Sequence, residues 1–296
     1  MLRWIRNNKF TVFILMIMFA GVFLLAYPSV ANWWNSFHQS TAIMTYADSV
    51  SNLDSAEYDR LWDEAVEYNK DLGETGIDWK PSQAQLERYG RMLAIDDTGI
   101  MGYIDIPEIN VKLPLYHGTD ETVLKDSIGH LAPTSLPVGG KNSHSALSGH
   151  RGLPSSRLFT DLDQLREGDI WTENILNRTL TYEVDQIRIV EPEDLSELLI
   201  KEGKDYSTLI TCTPYGINTH RLLIRGHRIP NSQGDANMIA DALQIETKYV
   251  APAIAVPLLL ILLIIFLINT RKSKAERRRR YERMIAKLDN ELALYE

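Results

Sequence analysis

One cysteine, Cys212, is the residue best able to carry covalent chemistry in this chain of 296 residues. With no second cysteine it cannot form a disulfide within the chain, so stapling does not account for it. A lone cysteine can serve as a small buried hydrophobe. Its surroundings argue for more, because a β-type run from Ser207 to Thr211 ends at Cys212 and gives way to Thr213, Pro214, Tyr215 and Gly216. A strand end beside a turn holds a side chain rigidly while leaving it open to a second molecule. A thiol of reference pKa ~8.5 is an efficient nucleophile near neutral pH only beside a base or a positive charge.

Seven histidines could supply that base. His150 stands out in Ser148-Gly149-His150-Arg151-Gly152, where the glycines end a strand and let the backbone approach a ligand. The plainer alternative is a solvated loop histidine. His220 and His227 alternate with apolar residues and read as structural or surface groups. One cysteine among scattered histidines matches no compact zinc spacing, so no metal and no other cofactor is expected. Arg221 and Arg225, four apart on the next strand, share a face under a period of two. Either could donate hydrogen bonds to an oxyanion formed when a thiolate attacks a carbonyl. Spacing alone does not choose between them.

The elements that must position these residues fall into two kinds. From Gly99 onward short β-rich runs are punctuated by Gly, Pro and Asn, near Met101 to Ile106, Val111 to Tyr116, His144 to Ser148, Leu180 to Ile189, Ser207 to Cys212 and His220 to Ile229. Short strands without regular intervening helices close into a sandwich or small barrel. Pro192 to Leu199 is expected to form one short helix between strands. Residues 40–95 read as helical, with a start at Asp54 and Glu57 and a stripe of Tyr58, Leu61, Trp62, Ala65 and Leu72. A second helix is expected from Ser82 to Leu93.

Two apolar runs flank this domain. Val12 to Tyr27 is uncharged over 16 residues and follows Arg3, Arg6 and Lys9; Val250 to Ile268 is uncharged over 19. The second run matches the ~30 Å of a bilayer's hydrocarbon core at ~1.5 Å per residue. Residues 1–30 carry +3, residues 31–250 carry −15 and residues 251–296 carry +4. Basic flanks stay cytoplasmic, so both termini are expected inside and the acidic middle outside, with cleavage after Ala31 left open. The arginines at 277–280 could neutralise phosphate, but topology and anionic lipid headgroups explain them, so lipid and not nucleic acid is the expected partner. The last stretch, Ala275 to Glu296, reads as a charged helix.

The stretch Thr208-Leu209-Ile210-Thr211-Cys212-Thr213-Pro214-Tyr215-Gly216, continuing through Asn218-Thr219-His220-Arg221 to Arg228, resembles the cysteine and arginine segment of sortases. Ser148-Gly149-His150-Arg151-Gly152-Leu153-Pro154 and Leu158-Phe159-Thr160-Asp161-Leu162 resemble the histidine segment of the class C, pilus-building type. Gly102-Tyr103-Ile104, Ile109-Asn110-Val111 and Gly129-His130-Leu131 complete a likeness over most of residues 90–230.

The resemblance implies a mainly β fold, a closed barrel of about eight strands with N-terminal helices, flanked here by two transmembrane helices. It implies Cys212 as nucleophile, His150 as general acid/base and Arg221 as oxyanion donor. The substrate would be an LPXTG-like sorting signal cut at Thr–Gly, and the acceptor a lysine of another pilin subunit. Anchoring to cell-wall peptide, a secreted thiol peptidase and a non-catalytic assembly platform are the competing readings. Asp78-Trp79 stands where the class C type often carries an Asp-Pro-aromatic lid, without the proline. The expected layout is 1–31 cytoplasmic start and anchor, 32–95 helical region with the lid, 96–231 catalytic barrel, 232–249 linker, 250–269 second span and 270–296 basic cytoplasmic tail.

Overall fold

The computed structural model describes residues 9–231, 260, 263–264 and 278–286. The second apolar run therefore lies outside the described residues except for Leu260, Leu263 and Ile264, which are helical. By itself, the C-terminal unit is described only there and as helix over residues 278–286, where Arg278 pairs with Glu282 at 3.0 Å.

Helix α1 runs unbroken from Lys9–Ser51, well beyond the expected apolar stretch. Its part from Met16 is long and apolar enough to cross a membrane. Pro28 lies within it, where the missing amide leaves one helical hydrogen bond unmade. From Asn32 onward one face turns inward, with Gln39, Ile43 and Tyr46 buried at helical intervals. The Tyr46 hydroxyl donates to the Met101 carbonyl at 2.9 Å and accepts from the Leu176 amide at 2.8 Å, so the helix is tied to the barrel at one strand and one turn.

Helix α2 (Ser55–Thr75) starts where Asp54 accepts a hydrogen bond from the Glu57 amide at 2.8 Å. It buries Leu61, Trp62, Ala65 and Asn69. Asn69 is a polar member of that apolar stripe because its amide pairs with the Leu136 backbone in both directions, at 2.9 and 2.7 Å. Helix α3 (Gln83–Tyr89) begins with a full capping box between Ser82 and Gln85. It ends four residues short of the expected Leu93, because Gly90 to Leu93 turn away and Leu93 takes φ 57°.

Eight strands close into a barrel: β1 (Ile100–Ile106), β2 (Val111–His117), β3 (Ile128–His130), β4 (Ser143–Ser148), β5 (Ile170–Ile175), β6 (Arg178–Val190), β7 (Asp205–Thr213) and β8 (His220–Ile229), hydrogen-bonded in the order β1-β2-β3-β4-β7-β8-β6-β5. The pairs β2–β3 and β4–β7 are parallel, and the rest are antiparallel. A short helix α4 (Glu121–Leu124) leads into β3. Two strands, β3 and β5, were not among the expected runs. The first has three residues, and the second carries Glu173 and Asn174 among its apolar positions. The expected helix at Pro192 to Leu199 is one 3-10 turn, Ser196–Leu198.

The barrel interior is filled by alternate residues such as Met101, Ile104, Leu115, Leu147, Leu209 and Ile224. Trp171 and Tyr182 stack there at 5.7 Å. Gly226 makes room for them, since a Cβ at that position would fall 2.4 Å from the Trp171 ring. Glu173 is buried in this apolar setting at 0 % exposure, accepting from Trp171 Nε1 at 3.1 Å and from the Ser207 hydroxyl. Burial pushes its carboxyl up to about 7, against those two hydrogen bonds.

Candidate active site

The outer face of β4, β7 and β8 is built from the residues that the core does not use. Leu209 and Leu222 point inward, whereas Ile210, Leu223 and Ala146 form a separate cluster on the outside with Leu198. Cys212 shares the parity of Ile210, and Arg221 that of Leu223, so both stand on this outer face. Register sets Cys212 directly opposite Arg221 across the antiparallel pair β7–β8. Opposed residues in such a pair have Cβ atoms about 4.5–5.5 Å apart. Cys212 is half-buried and lies one residue inside the end of β7, where the strand extends to Thr213.

His150 arrives from the other side. In the parallel pair β4–β7 the register ends with Ser148 level with Ile210, two residues before His150 on one chain segment and two before Cys212 on the other. Two bonds extend the grip beyond the last residue of β4: the Gly149 amide donates to the Ile210 carbonyl at 3.1 Å, and the Thr211 hydroxyl donates to the Gly149 carbonyl at 2.8 Å. Thr211, next to Cys212, thus pins the backbone next to His150. This link is not legible from residue types alone, since a buried threonine in a strand looks like any β-former.

The glycines around His150 have reasons other than ligand approach. A Cβ on Gly149 would meet Phe159 and Ile128 at 2.8 and 2.9 Å, and Gly152 takes φ 78° with Tyr215 close by. Arg151 lies over the Tyr215 ring at 5.8 Å, pairs with Asp163 and donates to the Thr213 hydroxyl at 3.2 Å. It ties the loop after His150 to the turn after Cys212.

The two candidate arginines differ sharply in what they touch. Arg225 is 8 % exposed, donates to both carboxylate oxygens of Asp185 at 2.8 and 3.2 Å, and lies 4.3 Å over the Tyr206 ring. Among the described residues, Arg221 donates only to nearby backbone carbonyls, His220 at 3.2 Å and Asn218 at 3.4 Å. A fork held by weak local contacts can be redirected to a ligand, whereas one clamped by a carboxylate cannot without breaking a buried ion pair. His220 lies 3.2 Å from Glu191 and His227 3.9 Å from Asp185, on the barrel surface.

Further along the same face His144 is buried against Thr208 Oγ1 at 2.7 Å and the Leu199 carbonyl at 3.1 Å. Burial lowers its pKa to about 4. It is therefore neutral at physiological pH and links β4 to β7 and to the Leu199 backbone. Trp79 packs on the outer cluster of Ile210, Leu223, Ala146 and Leu198. Asp78 is exposed, and its carboxylate accepts from the Lys80 amide at 3.0 Å in a local turn. No group of three or more metal-ligating side chains occurs among the described residues.

Cys212 and Arg221, both half-buried, thus face each other across β7–β8, with half-buried His150 just past the end of β4, and three comparisons with known proteins point to one family. The family model for the sortase domain matches residues 104–229. Sortase D of Bacillus subtilis is 31% identical over 131 residues, 43% of this chain and 63% of that protein. This chain thus spans less than two thirds of that relative. The crystal structure of sortase C1 from Streptococcus agalactiae is 60% identical, with 64% of this chain and 99% of that chain covered at a TM-score of 0.64. A Clostridium perfringens sortase C structure with the C-terminal cell wall sorting motif is 43% identical, with 65% and 100% covered at a TM-score of 0.58.

Proposed function

As this chain belongs to the sortase family, in its class C branch, we propose that it is a membrane-anchored cysteine transpeptidase joining pilin subunits on the outer face of a Gram-positive cell. The Cys212 thiolate attacks the Thr–Gly carbonyl of an LPXTG-like sorting signal, and Arg221 donates to the oxyanion that forms. His150 protonates the departing glycine amine as the C–N bond breaks, which leaves a thioester on Cys212. A lysine amine of a second subunit then attacks the thioester. His150 takes the proton, an isopeptide bond forms and the thiol is restored.

The observation that carries this reading is the register pair Cys212 and Arg221 on the open face, while Arg225 is spent on Asp185. The spacing of the two arginines left them equal, and their contacts favour Arg221. The packing of Trp79 on the outer cluster supports a lid role for the Asp78 and Trp79 segment. Residues 96–231 are then the catalytic barrel, outside the cell, with 1–31 and 250–269 as membrane segments, 32–95 as helical support, 232–249 as linker and 270–296 as the cytoplasmic tail.

Incubation with sorting peptides, read by intact mass, tests the first half: an adduct on Cys212 with loss of the glycine-terminated fragment is expected. Incubation with purified pilin tests the second half, and a lysine-dependent ladder is expected. Transfer to a cell-wall amine instead would mean anchoring, release to water a peptidase, and fibres that form with Cys212→Ala a non-catalytic platform.

A further inference from the structure

The exposed aromatic face of α1 and its polar contacts with the barrel lie at the same height along the helix, and that height is set by the membrane. Counted from Phe10, the first residue after Lys9, about twenty residues at ~1.5 Å each fill a ~30 Å hydrocarbon core, ending near Ser29. A headgroup layer of roughly 5–8 Å then takes the next four or five residues, through Trp34. Trp33 and Trp34 are 52 % and 57 % exposed there, and Phe37, one turn on, is 59 % exposed. Their other face is occupied: Asn35 donates to the Ser155 carbonyl at 2.9 Å, Asn32 Oδ1 accepts from the Arg157 amide at 2.9 Å, and Gln39 donates to the Asp126 carbonyl and to Ser156 Oγ at 2.6 and 3.3 Å.

We infer that the catalytic domain is docked on the bilayer surface, with Trp33 and Trp34 in the lipid headgroup layer, Phe37 one turn on at its outer margin, and the loop at Ser155–Arg157, which continues from His150, held against that layer by Asn32, Asn35 and Gln39. The occupant of the aromatic face is the phospholipid of the membrane that holds α1. Indole rings concentrate at that depth because one edge is apolar and the other can donate a hydrogen bond. Charge does not drive the docking, since residues 31–250 carry −15. The contact therefore persists at high ionic strength, unlike attraction by a basic patch. The Cys212 end of the barrel faces the lipid, so the scissile bond is presented close to the membrane surface. The inference rests on the reading of α1 as an anchor.

The test uses the full chain in phosphatidylcholine–phosphatidylglycerol vesicles, with Cys212→Ala so that one added cysteine carries a nitroxide. Pro154→Cys places the label beside Ser155, and Glu202→Cys places it at the opposite end of β7. A nickel chelate fixed to lipid headgroups is expected to relax the Pro154 label and not the Glu202 label, at low and high salt. In Asn32→Ala/Asn35→Ala/Gln39→Ala the difference between the two labels is expected to vanish while the chain still floats with the vesicles. Equal responses from the two labels on the unaltered helix, with the chain floating, overturn the docking and leave the anchor intact. A chain that does not float overturns both.

Discussion

The two faces of β7 carry opposite duties within a few residues of each other. Outward, Thr208, Ile210 and Cys212 meet Arg225, Leu223 and Arg221 in register; the first two pairs are buried, and only the last, Cys212 with Arg221, is half-buried at the end of the strand. Inward, Ser207, Leu209 and Thr211 are buried, against Glu173, the apolar core and the Gly149 backbone. The inner face sets where the outer face stands. Substitutions at the half-buried end of the outer face should therefore fail differently from those at the buried positions of either face.

The largest effect is expected from Cys212→Ala, which should remove thioester formation and transfer altogether, at least about 10³-fold by mass-resolved turnover. The thermal midpoint should stay within a degree or two, because a half-buried sulfur at a strand end contributes little packing. Arg221→Lys is expected to lower kcat by about 10²–10³, since lysine lacks the planar fork of donors, again with the fold intact. Arg225→Lys should instead lower stability by breaking the bidentate contact with Asp185; if it matched Arg221→Lys in activity loss at unchanged stability, the assignment of the two arginines would be reversed.

On the inner face Leu209→Ala should cost about 2–5 kcal/mol in denaturant melts. Activity per folded molecule should change far less than in either variant at the sulfur or Arg221. A loss of turnover without a loss of stability would erase the proposed division between the faces.

The smallest effect should come from Glu173, whose behaviour depends on pH. Its carboxyl titrates near 4.5 when unfolded and is raised to about 7 by burial, so between these values the folded state holds more protons. Stability from this group is therefore full at low pH and falls as pH rises through that window, by up to roughly 3 kcal/mol. His130 and His144, lowered to about 4 by burial, act in the opposite sense, stabilising above 6.5 and losing that contribution toward 4. Glu173→Gln keeps the shape and removes only the carboxyl titration. The difference in melting temperature between variant and parent, followed from pH 5 to 8.5, should grow with pH in favour of the variant.

The sequence revealed those parts whose physics is local. Six strands announced themselves by β-branched and apolar runs, and the helix starting at Asp54 by its cap. Strand β3 did not, because three residues carry no periodicity, and β5 did not, because Glu173 looked like a surface residue until the barrel closed over it. The extent of α1 was hidden for a related reason: beyond Tyr27 its buried face is polar, with Asn32, Asn35 and Gln39 bonded to backbone groups that no sequence window contains. Motif resemblance supplied Cys212, His150 and Arg221, but the choice between the two arginines has physical support only in Asp185, 40 residues away from Arg225.

The parallel pairing of β4 and β7 has one more consequence. Between Ser148 and Asp205 the chain must lay down two other strands before these neighbours can meet. In the unfolded chain the sulfur of Cys212 and the imidazole of His150 are 62 residues apart. Only the closed parallel pair puts the end of β4 beside the end of β7, so opening the barrel separates the two side chains.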